Sequence, residues 1–201
     1  MAKKSQNMVE VQEQRFNENN RTVYLIDDID QEQVRNAIIA LHCLDETQGD
    51  IMLALSTSGG CEDSAYALHD VIKHLRNDVI ITGIGRVYSA GTIVFAAGDK
   101  RYLTTHTKFM MHYGDMTLHG TSVESPPGTG TEGKIDARTM IAIGKDMEEC
   151  MKRYMMLMSA YSGQPPGSIR DWCDREVYFT AGQAVSYGFA HEVLKYESTP
   201  K

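Results

Sequence analysis

The chain has 201 residues, 42% hydrophobic and 23% charged, which suits one domain of ordinary size with a substantial core. Its 27 acidic and 20 basic residues give a net charge of −7 with no basic stripe, which argues against a nucleic-acid footprint. The apolar runs fall far short of a membrane span, no apolar core follows Lys3 and Lys4 to make a secretory signal, and Cys43, Cys61, Cys150 and Cys173 lack metal-site or disulfide-framework spacing.

A cytoplasmic protein with four mostly buried thiols is therefore expected, with neither nucleic acid nor membrane among its partners. Residues 1–20 are polar and read as a flexible N-terminal arm, leaving 21–201 as the folded domain. Thr22 to Ile26 reads as a strand. Asp30, with Gln33 three residues later, resembles a capping box, and Val34, Ile38, Leu41 and Leu44 then share one helical face. Ile51 to Leu55 is a second strand, near-continuously apolar as in a sheet covered on both faces.

After Gly59 and Gly60, a stripe of Ala65, Leu68, Ile72 and Leu75 marks another helix. Val79 to Thr82 is the next strand, and Ser89 opens a helix from Ala90 to Ala97. Arg101 to Leu103 and Lys108 to Met111 are two further strands. Residues 120–134 hold four glycines and the Pro126-Pro127 pair and read as a flexible insert. A long helix follows, with Met140, Ile143, Met147, Met151, Tyr154, Met158 and Tyr161 at steps of three or four, and Gly163 stops it. Its Met-rich stripe reads either as a core or subunit-packing face or as an adaptable binding surface. Thr180 caps a short helix, Ala181 to Tyr187, and Phe189 to Leu194 closes the chain as a strand. This alternation of strand and helix predicts an α/β fold with a mostly parallel sheet and crossover helices.

Three of these strand ends carry chemistry. Ser89 lies at a strand-to-helix junction, where it is either an N-cap or a nucleophile beside the small residues Ala90 and Gly91. His112 ends the run Phe109-Met-Met-His112 and is either structural or the base that a serine hydroxyl needs. The other six histidines have no local context that favours them. Gly59-Gly60 is either a plain turn or a source of bare backbone N–H groups at the carboxyl edge of the sheet, where ligands bind in open α/β folds. The three together are the parts of an acyl-transfer site.

From Thr22 to Leu194 the order of residues resembles ClpP, the proteolytic subunit of the Clp protease. Ser56-Thr-Ser-Gly-Gly60 is similar to the family's Asn-Ser-Pro-Gly-Gly segment. Tyr88-Ser-Ala-Gly91 resembles its nucleophile motif, and Ala96-Ala-Gly-Asp-Lys-Arg-Tyr102 the stretch after it. Phe109-Met-Met-His112 is similar to Val-Met-Ile-His, and Thr180 to Leu194 matches the closing Ser-Ala-x-Glu-Ala segment. The resemblance implies the ClpP/crotonase fold with a long handle helix, and a serine endopeptidase with no metal or organic cofactor. Ser89 would be the nucleophile, His112 the base, and the Gly60 and Ala90 amides the oxyanion hole. Counting back four residues from Thr180 gives Glu176 as the acid, with Asp174 the alternative.

The resemblance also implies peptide or unfolded-protein substrates, a ring-shaped homo-oligomer enclosing a chamber, and a possible ring-shaped ATPase unfoldase as partner. This chain departs from the family at Ser58, in place of proline, and in its 120–134 insert and N-terminal arm. Two other functions fit the same fold: a catalytically weak or inactive assembly subunit, and a crotonase-like acyl-CoA enzyme.

Overall fold

The computed structural model describes residues 16–17, 20–114 and 137–195. The 120–134 insert and most of the expected arm lie outside these residues. The described part is an α/β fold whose largest element is a mostly parallel sheet.

Strands β1 (Phe16–Asn17), β2 (Thr22–Ile26), β3 (Ile51–Thr57), β4 (Val79–Tyr88), β5 (Lys100–Thr104) and β8 (Glu192–Leu194) form the sheet in the order β1-β2-β3-β4-β5-β8. All neighbours in that order are parallel except β1 and β2. The two residues of β1 tie the end of the arm to the sheet, Phe16 opposite Val23 and Asn17 opposite Thr22. The crossovers are α1 (Gln31–Asp45), α2 (Glu62–His74) and α3 (Gly91–Ala96). Asp30 starts α1 as expected, accepting the Gln33 N–H at 2.7 Å. Leu53, Leu55, Leu68, Ile81 and Phe95 are fully buried between sheet and helices, which accounts for the near-continuous apolar character of β3.

β4 is longer than its apolar run, because Gly83 and Gly85 interrupt the hydrophobic pattern without ending the strand. Leu55 stands opposite Gly83 but Thr57 opposite Val87, so β4 bulges between them. Gly85 sits at φ 69°, where a side chain would be strained. The bulge lets β4 exchange neighbours. Its first half pairs with β5, and Arg86 to Tyr88 pair in parallel with β6 (Lys108–Met110). β6 in turn pairs antiparallel with β7 (Tyr178–Thr180). The Thr107 hydroxyl closes the junction by donating to the Gly83 carbonyl at 3.0 Å.

The long helix α4 (Ala137–Ser162) meets the body through its second half, where Tyr154 and Met158 are buried. In its first turns Met140 and Ile141 are 51% and 59% exposed. The short helix α5 (Pro166–Asp174) and β7 were not anticipated from sequence, being too short for a decisive period. α6 (Ala181–Ser186) has the full capping box, with Thr180 and Gln183 bonding each other's backbone. An aromatic cluster of Phe109, Trp172, Phe179 and Phe189 fastens β6, α5 and β7 together.

Two expectations need correction. Of the four cysteines only Cys173 is buried, since Cys43 and Cys61 face solvent and Cys150 is half-buried. Ser89 does not cap α3: Ala90 holds that position, and Ser89 stands one residue earlier at φ 52°.

Candidate active site

The end of β4 delivers Ser89 and the end of β6 delivers His112. Because Tyr88 pairs with Met110, the two chain ends run out side by side. The Ser89 N–H donates to the Met110 carbonyl at 3.0 Å, extending that pairing by one step. The left-handed backbone at Ser89 is uncommon for a residue with a side chain, and such strain persists only where surrounding structure enforces it. Here Thr92 enforces it. Its N–H and hydroxyl both donate to the Ser89 carbonyl, at 2.9 and 2.6 Å. The buried Tyr154 hydroxyl lies 2.7 Å from the Thr92 hydroxyl and, with that proton already committed, is the donor of the pair. Burial raises the Tyr154 phenol well above its ordinary pKa, so it keeps its proton.

The Ser89 hydroxyl donates to His112 Nε2 at 2.8 Å. That bond requires the imidazole tautomer with its proton on Nδ1. Nδ1 faces Glu176, whose Oε1 is 3.9 Å away, an ion-pair separation rather than a hydrogen bond. Glu176 lies on the turn that joins α5 to β7, itself in left-handed backbone at φ 47°. Asp174 points elsewhere, to Arg170 at 3.8 Å.

Gly59 and Gly60 follow β3, the strand beside β4, with Ser58 between. The Ile29 N–H donates to the Gly59 carbonyl and the Cys61 N–H to the Ile29 carbonyl, both at 2.7 Å, and this clamps the glycine pair. A Cβ on Gly59 would lie 2.6 Å from the Ser89 Cβ and 3.3 Å from the Ala90 nitrogen, so only glycine fits there. Among the described residues, neither the Gly60 nor the Ala90 N–H finds a partner within the chain.

A cavity of about 300 Å³ opens beside these groups, reached by Gly60, Ser89, Ala90 and His112 and walled by Ile93 and α4. The Met stripe of α4 thus divides its work. Met158 packs in the core as expected, but Met147 and Met151 line the cavity. Sequence reasoning missed Glu62, Asp146 and Cys150 in the same lining. Asp146, Cys150 and Tyr154 succeed one another at steps of four along α4, a signal that was present in the sequence. Burial pushes the Glu62 carboxyl above its ordinary pKa, against the opposing pull of Arg153.

Ser89, His112, Glu176, Gly60 and Ala90, which the sequence nominated, are thus close together in space. Among the described residues no group of three or more His, Cys, Asp or Glu is placed to hold a metal, and no helix is long and apolar enough to cross a membrane.

The sequence profile of the Clp protease family matches residues 3–197. The chain belongs to the Clp protease family, one of serine-type peptidases. It is 31% identical over 179 residues to ATP-dependent Clp protease proteolytic subunit 2 of Thermobifida fusca, covering 87% of this chain and 80% of that one. It is 30% identical over 182 residues to proteolytic subunit 1 of Frankia casuarinae, covering 88% and 78%. Among solved structures, ClpP1 from Listeria monocytogenes superposes with a TM-score of 0.71 at 25% identity, over 90% of this chain and 94% of that one. A mutant of that same ClpP1 gives 0.74 at 23% identity over 89% and 94%, a likeness of fold. The Clp protease fold is therefore what positions Ser89, His112 and the glycine pair at adjoining strand ends.

Proposed function

We propose that the chain hydrolyses peptide bonds by acyl transfer through Ser89. The observation that carries this reading is the 2.8 Å bond from the Ser89 hydroxyl to His112 Nε2 at the mouth of the cavity. His112 takes the Ser89 proton as Oγ attacks the scissile carbonyl carbon. The carbonyl oxygen becomes an oxyanion and is met by the Gly60 and Ala90 amides, which are free to donate to it. His112 then returns the proton to the departing amine. In the second half-reaction it activates a water, which releases the acid and restores Ser89. Glu176 holds the neutral imidazole in its Nδ1–H tautomer and stabilises the imidazolium that forms. No metal or organic cofactor enters the scheme.

A fluorophosphonate probe tests the reading: one covalent adduct per chain is expected, mapping to Ser89 in a peptide digest. An unlabelled chain, or an adduct on another residue, would refute it. The Ser89–His112 bond also weighs against an inactive assembly subunit and against an acyl-CoA enzyme, neither of which needs an activated serine.

The acid makes a finer prediction. Glu176→Gln should lower kcat/KM for a small peptide by about 10- to 100-fold, less than for a fully buried triad acid because water screens this pair. The Glu176 side chain is 62% exposed, which is why screening matters here. Asp174→Asn should leave the rate within about twofold, since surface pairs of this kind contribute little. The reverse ranking in steady-state assays would move the role to Asp174.

The substrates on this reading are peptides or unfolded protein, and the working form is a ring-shaped homo-oligomer in the cytoplasm. The exposed Met140 and Ile141 of α4 suit a subunit contact. Relatives named as subunits of an ATP-dependent protease make a ring-shaped ATPase unfoldase the natural partner.

A further inference from the structure

The cavity beside Ser89 is apolar for much of its wall, with Ile93, Met147 and Met151, yet among the described residues its lining also includes two carboxylates, Glu62 and Asp146, and no lysine or arginine. The cation beside Glu62, Arg153, is already shared. Arg153 stacks over the Tyr66 ring at 4.1 Å, and its Nη2 lies 3.6 Å from Glu62 Oε1 and 3.7 Å from Asp63 Oδ1. At 3.6 Å the Glu62 contact is an ion pair without a hydrogen bond, and Oε1 is buried with no hydrogen-bond partner among the described residues. Oε1 is thus shut off from a guest, whereas Oε2 lies towards Gly114, another residue of the lining, 3.8 Å from where a Cβ there would stand. One guanidinium facing Glu62 and Asp63, with Asp146 nearby, leaves the site with an excess of negative charge.

The position of the cavity decides which part of a substrate enters it. With the scissile carbonyl carbon at Ser89 Oγ and its oxygen towards Gly60 and Ala90, the side chain attached beside that carbonyl faces the adjoining space. We propose that this cavity selects a cationic side chain, lysine or arginine, on the residue that donates the scissile carbonyl, and that Glu62 reads its charge with Asp146 in support. The long methylene stem packs on Ile93, Met147 and Met151, while the charged head meets the Glu62 carboxylate at the cavity wall. This assignment rests on the hydrolase reading above.

Two fluorogenic peptides test it, identical except for lysine or norleucine at that residue. Norleucine keeps the stem and removes the ammonium. The wild-type chain should cleave the lysine peptide with a kcat/KM at least about tenfold higher, as a charge-assisted hydrogen bond in a partly buried site would give. In Glu62→Gln the lysine-to-norleucine ratio should fall at least about fivefold. The ratio is read within one preparation, so a smaller folded fraction does not move it. Equal cleavage of the two peptides by wild type overturns the assignment. So does a ratio that survives in Glu62→Gln while both rates fall together, which would make Glu62 a structural partner of Arg153. Cleavage of neither peptide overturns the hydrolase reading itself, and this assignment with it.

Discussion

Ser89→Ala abolishes peptide hydrolysis, with kcat/KM expected to fall by about 10⁴-fold or more, because the members of a nucleophile–base unit act together and not additively. The chain should nevertheless fold. Among the described residues the Ser89 hydroxyl bonds only His112, whereas the backbone at 89 is held independently by Met110 and Thr92. Serine and alanine both carry a Cβ, so the strain of the left-handed position is common to the two and the substitution adds little to it. Purified variant and wild type should therefore have similar melting curves and circular dichroism while only one turns over peptide. Hydrolysis by Ser89→Ala at the wild-type rate would remove the serine from the chemistry.

Gly60→Ala has the second largest expected effect, and it strikes stability and rate together. Gly60 lies at φ 137°, and an added Cβ would collide with the Ile29 carbonyl oxygen, a backbone atom that cannot swing aside. Overpacking of this kind costs about 1–3 kcal/mol, so the thermal midpoint should drop by at least about 3 °C. Any relief moves the Gly60 amide, and loss of one oxyanion donor typically costs about 10²–10³ in kcat. Scanning calorimetry and steady-state kinetics on the same sample check both parts. A variant that melts early but keeps its full kcat would show that the Gly60 amide does not meet the reacting oxygen.

Much of this site was legible in the sequence for a simple reason: the elements that present it are apolar runs with small or polar residues at their ends. Ile51 to Leu55 and Phe109 to Met111 announce buried strands, and the residues just past them, Gly59-Gly60 and His112, lie by topology at one sheet edge. Ser89 was harder. The helix after it invited a capping role, and only the pairing of Tyr88 with Met110 puts its hydroxyl against His112 and not against the helix. The full length of β4 was hidden because Gly83 and Gly85 look like strand breakers, whereas here they form the bulge that redirects the strand. β7 escaped notice because three residues carry no period. The cavity lining was least legible, since Glu62 belongs to α2 and Asp146 to α4, and only packing brings them together.

The antiparallel pairing of β6 with β7 has a consequence for how the protein comes into being. Ribosomal synthesis supplies Ser89 and His112 long before Tyr178 and Phe179. Until that late stretch emerges and docks, β6 has no edge partner on that side, and the imidazole of His112 has no carboxylate to orient it. On the hydrolase reading, a growing or truncated chain is therefore a slower one. Full activity arrives with completion of the polypeptide, so the order of synthesis itself restrains the newly made chain.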